Sequence, residues 1–231
     1  DGRSVYSPLF SGVFWEIQDV SMDDVERIEV VSGPGGTAWG TNAVNGVINI
    51  ITRSAADSQG GLASAWVGSE ERGAGVRQGG RLAGGAHWRA YARAMEADGT
   101  LGATSDAVLG RGGMERQQAG FRLDWEDAVQ DVTVRGDVRQ ARLSPGIAAA
   151  RTQFEGANLL GRIERRLGDG DVLRLQAYLD HVGHAQEDIG GIRIDTVDLE
   201  LQHMLHRGDH LLSWGAGHRY SRDRIDNGGW L

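Results

Sequence analysis

The sequence predicts a mainly β fold, in which a portion of a transmembrane antiparallel β-barrel follows part of a small α/β domain. First, nearly every segment after residue 57 alternates apolar and polar side chains, so each strand would have one apolar and one charged face. Second, most of these segments run about 8–12 residues, close to the roughly 9–11 that a tilted strand needs to cross the hydrocarbon layer. Third, tight turns and longer loops tend to alternate between them, which is typical of outer-membrane barrels.

Composition limits the classes of function. The chain has 231 residues, a formal charge of −8 and a pI near 5.3, so no basic stripe is available to hold a nucleic-acid backbone. The absence of cysteine from the sequence excludes disulfide frameworks, thiolate metal sites and cysteine nucleophiles. No apolar run reaches the roughly 18 residues of a membrane helix. A mean hydropathy of −0.36 is still compatible with a membrane β-barrel, whose strands alternate.

Nine segments are predicted as strands. In 131–140, for example, Val132, Val134 and Val138 share one face and charged residues occupy the other. The segment 192–205 changes phase near residues 196–197, which indicates either a bulge or a strand that extends beyond the membrane. The nine predicted strands are 61–68, 73–82, 86–96, 117–126, 130–141, 158–167, 171–182, 192–205 and 210–221.

The connections and the charged face favour a wide membrane barrel over a soluble β-sandwich. The strands of a sandwich also alternate apolar and polar residues, but the buried face of a sandwich usually carries bulky Ile, Leu and Phe rather than so much Ala and Gly. Many Arg and Asp side chains would line the interior, where a small dry barrel could not solvate them. A wide barrel that holds water or a polar insert suits them better, and this chain would supply about nine of its strands. The tight turns are predicted near 83–85, 127–129, 168–170 and 206–209, and the longer loops at 97–116, 142–157 and 183–191, with 69–72 as the exception.

The composition changes near residue 57. We expect a domain boundary within Ser54–Gly61, a small and polar stretch that separates a first domain, 1–57, from the barrel portion, 58–231. The chain begins with Asp1 and shows no leader sequence, and its last residues read as a turn. We therefore expect both ends to be interior points of a longer protein. We also expect this stretch not to fold alone, because two sheet edges would lie unpaired.

Four elements are predicted within 1–57. Ser21 is expected to cap a short helix that begins at Met22 and carries acidic residues in its first turn. Arg27–Val31 is predicted to be a strand and Gly46–Thr52 a second, buried strand. The glycines of Gly33–Gly36 indicate a turn that needs positive φ.

An aromatic group is the strongest candidate for ligand contact. Within ten residues the chain carries Tyr6, Phe10, Phe14 and Trp15, a high density for a sequence that is 6% aromatic. Packing in the core of the first domain is one interpretation of this group. Contact with a hydrophobic ligand, or with a chelate that has aromatic groups, is the other.

Other candidate sites are weaker. The glycine-rich stretch after Ser32 has no Gly-Lys-Ser/Thr to bind phosphate. We interpret His181, His184, Glu187 and Asp188 as solvated loop residues rather than a metal site. Since no nucleophile elbow with triad partners and no paired-carboxylate constellation is visible, we expect no enzyme, no metal and no cofactor.

A long motif carries a family resemblance. The stretch Val25–Thr52 resembles the end of the plug domain of TonB-dependent outer-membrane receptors, and Asp1-Gly2-Arg3 resembles the Asp-Gly turn that precedes it in that family. The motif covers most of 1–53, whereas 58–231 resembles the family only in its strand pattern. One departure is Ser32, where many members carry Arg before Gly-Pro.

The resemblance implies a function and partners. The protein would be a plugged outer-membrane barrel of roughly 22 strands, about nine of them in this chain, that imports a scarce nutrient, most often an iron–siderophore complex, less often cobalamin. Its partners would be outer-membrane lipid, the chelate ligand, and TonB of the TonB-ExbB-ExbD complex through a segment upstream of this chain. The acidic and basic set Glu26, Arg27 and Glu29 would face the barrel wall. Plug loops near Tyr6–Trp15 would touch the ligand. A passive or adhesive outer-membrane barrel and a soluble secreted β-protein remain as alternatives.

Overall fold

The computed structural model describes residues 1–7, 9–40, 42–98, 113–144, 151–187 and 189–227. It contains a nine-stranded antiparallel sheet, preceded by a two-stranded antiparallel hairpin. The predicted fold class is confirmed. No helix within the described ranges is both long and apolar enough to cross a membrane.

The nine-stranded sheet is a simple meander in which each strand pairs with the next along the chain. All nine predicted strands are present, and most extend beyond their predicted ends. They are β3 (Gly60–Val67), β4 (Glu71–Arg81), β5 (His87–Asp98), β6 (Gly113–Glu126), β7 (Gln130–Ser144), β8 (Thr152–Arg166), β9 (Val172–Gln186), β10 (Gly190–Arg207) and β11 (His210–Asn227).

The predicted bulge in β10 is wrong. Thr196 pairs with Asp180 and Val197 with Leu179, and the register between β9 and β10 runs without a shift. The change of phase has another cause: the 18-residue strand continues past the apolar band on one face of the sheet, and side-chain polarity changes there. The second alternative, an extended strand, accounts for the pattern.

The connections agree in part with prediction. Tight connections at 82–86, 127–129, 167–171 and 208–209 lie at one end of the sheet, which we call the turn end. At the opposite end, the loop end, the predicted loop 183–191 is mostly strand, because β9 and β10 both continue into it. The predicted loop 97–116 falls largely on 99–112, which lie outside the described residues. The predicted loop 142–157 is mostly strand, because β7 continues to Ser144 and β8 begins at Thr152, while 145–150 lie outside the described residues.

The residues before β3, which we call the N-terminal segment (1–58), contain short elements. The hairpin consists of β1 (Val25–Ser32) and β2 (Gly46–Thr52), and a four-residue helix, α1 (Gly36–Trp39), lies between its strands. Single 3₁₀ turns occupy Trp15–Ile17, Met22–Asp24 and Ala56–Ser58.

Three predictions about this segment need correction. The helix at Met22 is only a 3₁₀ turn, and the Ser21 side chain makes no capping bond, because its backbone leads directly into a turn of three residues. Strand β2 is partly exposed rather than buried, since Ile48 is 65% exposed. Of the glycines in the predicted turn, Gly33 has the expected positive φ of 97°. Gly36 instead begins α1.

The two faces of the large sheet differ in chemistry. The outer face carries a band of exposed apolar side chains, including Leu179, Val197 and Leu199, which are neighbours across β9 and β10. The inner face carries charged, polar and aromatic side chains and contacts the N-terminal segment.

Glycines on the strands let large side chains lie flat over the neighbouring strand. Gly120 pairs with Tyr91, and a Cβ atom at Gly120 would lie 2.8 Å from both the Tyr91 hydroxyl and the Gly136 carbonyl oxygen. Gly136 pairs with Phe121, whose ring a Cβ there would approach to 3.2 Å. Such close approach accounts for part of the high glycine content of the sheet.

Candidate functional site

Arginines of the inner face bind the N-terminal segment at several points. Each reaches inward from a strand of the large sheet to a carboxylate, a carbonyl or a hydroxyl group of that segment. A guanidinium stays charged and presents several donors in a fixed plane, so it can hold backbone and carboxylate acceptors together. The arginines concerned are Arg77, Arg89, Arg93, Arg116, Arg122, Arg135, Arg139 and Arg162.

Two aspartates of the N-terminal segment each face two arginines. Asp24, which is 4% exposed, pairs with Arg77 and lies 3.6 Å from Arg89. Asp19 lies 3.2 Å from Arg93 and 3.4 Å from Arg116. Because both carboxylates are largely withdrawn from water, their charges depend on these cations for compensation.

The stretch between β2 and β3 is held mainly through its backbone. Arg122 donates to the Thr52 carbonyl at 3.1 Å and to the Thr52 hydroxyl at 2.9 Å. Arg89 donates to the Arg53 carbonyl at 2.9 Å. In the opposite sense, Asp124 accepts from the Ala55 amide at 2.7 Å. These bonds fix the end of the hairpin against the inner face.

The first three residues are also bound to the inner face. Arg3 donates to Asp180 at 2.6 Å, Arg162 donates to the Asp1 carbonyl at 2.7 Å, and Gln176 donates to the Gly2 carbonyl at 3.0 Å. Gly2 has a φ of +87°, and a Cβ there would lie 2.7 Å from the Arg162 guanidinium. Glycine is therefore required at position 2 for this approach.

An apolar contact lies nearer the loop end. Ile17, 1% exposed, packs with Ala141 of β7 and Phe154 of β8. Arg139 donates to the Ile17 carbonyl at 2.9 Å and to the Gln18 side-chain oxygen at 2.8 Å. This 3₁₀ turn is thus held both by burial of its side chain and by hydrogen bonding of its backbone.

An aromatic cluster, formed by Phe10, Phe14, Phe154 and His184, lies beside this contact. The Phe10 and Phe14 rings meet edge to face with centroids 4.7 Å apart, and Phe14 lies 6.1 Å from Phe154. The His184 ring stacks on Phe154 at 4.6 Å. Phe10 is 49% exposed, so one side of the aromatic cluster is open to solvent.

The predicted ligand residues divide into two groups. Phe10 and Phe14 join the aromatic cluster, whereas Trp15 is 66% exposed and Tyr6 is half-buried, and neither makes a ring contact within the described part of the chain. Phe154 and His184 were missed, because both lie in segments predicted as loops, 142–157 and 183–191, into which β8 and β9 continue. Their pairing follows from the register between β8 and β9, in which they are direct partners. Whether Tyr6, Phe10, Phe14 and Trp15 contact a ligand stays a prediction.

The predicted wall-facing trio is bonded mainly within its own hairpin. Arg27 donates to Glu26 at 2.6 Å and to Glu29 at 2.9 Å, and Asn49 donates to Glu29 at 2.9 Å. Hydrogen bonds from Arg27 and then Asn49 hold the pKa of Glu29 below its usual range. Among the described residues, the ion pairs between the N-terminal segment and the large sheet are made by Asp1, Arg3, Asp19 and Asp24. Contact of the trio with the wall stays a prediction.

The histidines expected in a loop lie on β9. His184 faces inward in the aromatic cluster, while His181 on the outer face lies 2.6 Å from Asp195 and 3.7 Å from Glu155. Their solvated-loop interpretation is therefore wrong, because β9 continues through both positions. Asp188 lies outside the described residues. No group of three or more potential metal ligands is found in the described ranges.

A cavity of about 310 Å³ lies toward the turn end, between the hairpin and the inner faces of β8, β9 and β10. Arg27 and Trp39 line it from the N-terminal segment, and Arg162, Arg174 and Glu200 line it from the large sheet. The aromatic cluster and this cavity thus lie toward opposite ends of the same interface. Phe154 and Arg162 are on one strand, and their spacing corresponds to roughly 26 Å at about 3.3 Å per residue.

Comparison with known sequences gives relatives with related activities. No family model matches the chain. The ferric enterobactin receptor PirA of Pseudomonas aeruginosa is 32% identical over 145 residues, covering 55% of this chain and 19% of the relative. The vitamin B12 transporter BtuB of Vibrio vulnificus is 48% identical over 46 residues, covering 20% of this chain and 8% of the relative. The chain therefore spans a fifth or less of the length of these curated relatives.

Solved structures share the fold. The siderophore receptor PirA of Acinetobacter baumannii aligns over 88% of this chain and 35% of its own, with a TM-score of 0.66 and 16% identity. A variant of the ferric enterobactin receptor PfeA of Pseudomonas aeruginosa, in complex with enterobactin, aligns over 88% of this chain and 37% of its own, with a TM-score of 0.60 and 17% identity. These relatives and neighbours are receptors and transporters, not enzymes. PirA and PfeA are TonB-dependent siderophore receptors, the family that the Val25–Thr52 motif of this chain resembles.

Proposed function

We propose that the protein containing this chain imports an iron–siderophore complex across the bacterial outer membrane, with energy delivered through TonB. In this proposal residues 1–57 are the C-terminal part of the plug, and residues 58–231 are the first portion of the barrel wall. The outer face of the sheet meets lipid, and its apolar band supplies the surface that lipid requires. Backbone groups of the strands from β4 to β10 are satisfied by pairing on both sides, as hydrocarbon demands.

The observation that carries the proposal is the aromatic cluster at the loop end. Phe10 offers a half-exposed ring that contacts Phe14, and Phe14 in turn lies against Phe154 and His184. Flat, partly exposed aromatic surface next to polar groups suits a chelate that carries aromatic rings. Trp15 and Tyr6, on the same stretch of chain, extend the proposed contact surface.

The relatives support this ligand class. One structural neighbour is solved in complex with enterobactin, and a sequence relative is a ferric enterobactin receptor. The solved structures share only 16–18% sequence identity with this chain, which supports the fold alone. The siderophore assignment for this chain therefore relies chiefly on the aromatic cluster.

The proposed transport requires the plug to shift, because its contacts fill the inner face. The pairs made by Asp19 and Asp24 with inner-face arginines would have to break or exchange partners before a chelate could pass. We propose that Glu26, Arg27 and Glu29 meet the wall during such a shift, since Arg27 already lines the cavity opposite Arg162.

Corrinoid uptake is the second candidate. The observation in its favour is the short match to a vitamin B12 transporter, which is 48% identical but covers only 20% of this chain. A bulky corrinoid would also need a large apolar contact surface, so the ligand panel must include one.

Growth of a deletion strain tests the proposed function. Cells that lack the gene and depend on a single iron chelate or corrinoid are complemented with the wild-type gene or with Phe10→Ala. We expect wild type to restore growth on at least one ferric siderophore, and Phe10→Ala to require several-fold more of it. Restoration only on cobalamin would select the second candidate. Growth of the deletion strain equal to wild type on every ligand would contradict both.

A further inference from the structure

The turn that carries Phe10, which we call the tip turn (9–12), is closed at its base by a backbone hydrogen bond. The Ser7 amide donates to the Gly12 carbonyl at 2.7 Å, and Ser7 is only 7% exposed. Ser11 has a φ of +54°, so its backbone is left-handed, a conformation that residues other than glycine seldom adopt. The tip turn is therefore tightly folded, and Phe10 is exposed on its outer side.

The Phe10 ring lies directly over the backbone of Gly12. A Cβ atom at position 12 would overlap Cε2 of the ring and would lie 2.8 Å from Cδ2. The φ of Gly12 is not positive, so glycine is needed here for space and not for backbone conformation. The ring occupies the place that any side chain at position 12 would take, and this close approach requires glycine.

Phe14 restricts the ring from another side. The Phe10 and Phe14 rings meet edge to face, with centroids 4.7 Å apart and planes at 72°. Phe14 is itself held in place, because it packs against the buried contact of Ile17 with Phe154. The Phe10 ring is thus bounded by Gly12 and by Phe14, while 49% of the residue stays open to solvent.

A ring that is held in this way is ordered before any ligand arrives. An exposed aromatic side chain that rotates freely loses conformational entropy when a ligand orders it, and this loss weakens binding. In the tip turn, Gly12 and Phe14 already restrict the Phe10 ring in the folded protein. Less entropy is therefore lost when a ligand packs on the open side of the ring.

We propose that Gly12 is a positioning residue of the proposed ligand site. It acts through Phe10, because its bare Cα lets the ring lie across the tip turn with one side open to solvent. The inference deepens the proposed function and rests on it, since the exposed part of Phe10 is what the imported chelate would meet. Gly12 has no side chain with which to touch the chelate, so its whole effect passes through the Phe10 ring.

The first measurement needs no ligand. The full-length protein in detergent carries 4-fluorophenylalanine at position 10 alone, and the fluorine resonance reports the surroundings of that ring. We expect Gly12→Ala to shift this resonance, because the added Cβ displaces the ring. Gly36→Ala is the matched control and should leave the resonance in place, since no atom of the described residues lies within 4 Å of a Cβ there. An unchanged resonance in Gly12→Ala would overturn the inference.

The second measurement is the affinity for ferric enterobactin, followed by quenching of tryptophan fluorescence. Gly12→Ala should lower the affinity by about fivefold and leave the unfolding midpoint unchanged, since the atoms it displaces are the far end of one side chain. In a Phe10→Ala background, Gly12→Ala should change the affinity by less than about twofold, because no ring remains to be displaced. Gly36→Ala should keep full affinity.

Three results of the second measurement would overturn the inference. They are full affinity in Gly12→Ala, an equal loss of affinity with and without the Phe10 ring, and a lowered unfolding midpoint, which would assign Gly12 a structural role. Failure of the proposed function has a different signature. Wild type would then bind neither ferric enterobactin nor cobalamin, although the fluorine resonance would still shift in Gly12→Ala.

Discussion

Arg3 and Asp180 form an ion pair of 2.6 Å that joins the start of the N-terminal segment to the inner face of β9. Their side chains are only 8% and 13% exposed, so water contributes little to the solvation of either charge. In such a setting each charge depends on the other, and the loss of one leaves its partner buried and unpaired. The pair is therefore a point at which docking of the N-terminal segment against the sheet can be probed.

Arg3→Met or Asp180→Leu alone should lower the free energy of unfolding by roughly 3–5 kcal/mol, whereas the double variant should lose less than either single variant. Denaturant unfolding of the protein in detergent measures this. Arg72→Ala is the control, because the Arg72–Glu96 pair has side chains that are 71% and 53% exposed and should matter far less. If the double variant lost as much free energy of unfolding as the two single variants combined, that would contradict the coupling between Arg3 and Asp180.

Gly120→Ala should destabilise the sheet by about 1–3 kcal/mol, because the new Cβ would lie 2.8 Å from the Gly136 carbonyl and from Tyr91. Gly161→Ala is the matched control on β8, since no atom lies within 4 Å of a Cβ there. It should be nearly neutral. The same unfolding assay compares them, and equal losses in the two variants would count against the packing described for Gly120.

Phe10→Ala should weaken chelate binding by about five- to tenfold, or roughly 1 kcal/mol, and leave the unfolding midpoint nearly unchanged, since Phe10 is half-exposed. Phe154→Ala should lower both the affinity for the chelate and the unfolding midpoint, because Phe154 is 5% exposed and packs on Ile17. Ligand titration and thermal unfolding separate the two effects. Val30→Ala, on the exposed side of the hairpin, should alter neither the affinity for the chelate nor the unfolding midpoint. Full affinity in Phe10→Ala would argue that the ligand binds elsewhere.

The pKa of Glu29 should rise in Arg27→Gln, because the guanidinium hydrogen bond is the largest cause of its lowered value. With a folded-state pKa below the unfolded one, Glu29 contributes stability at pH values above the unfolded pKa. That contribution is lost as the pH falls through the lowered value. Titration of a labelled Glu29 carboxyl by NMR measures the shift. Val30→Ala should not move it, and an unchanged pKa in Arg27→Gln would refute the assignment.

The strand pattern was predictable from sequence because period-two alternation reports directly on a sheet with one apolar and one polar face. Of the two interpretations of the phase change near Thr196, the extended strand was correct and the bulge was not, because β10 continues beyond the apolar band with full pairing. Strand ends at the loop side were underestimated for the same reason.

The candidate site was predictable only in part. Phe10 and Phe14 are neighbours in sequence, and their density pointed to a site. Phe154 and His184 join them through the register of β8 and β9, which no local pattern specifies. The bonds of Arg162 to Asp1 and of Arg139 to Ile17 bridge more than a hundred residues and became visible only in the fold.

In the proposed function, lipid covers the outer face of the sheet, while the N-terminal segment and the proposed ligand site stay in water. Leu199 and Trp15 test this, because they are similarly exposed, at 48% and 66%, but lie on the outer face and beside the aromatic cluster respectively. The chain has no native cysteine, so Leu199→Cys and Trp15→Cys can each carry a single spin label here. In lipid vesicles we expect the label at position 199 to be accessible to oxygen and shielded from an aqueous nickel complex, and the label at position 15 to show the reverse. Equal exposure of both labels to aqueous nickel would contradict the account.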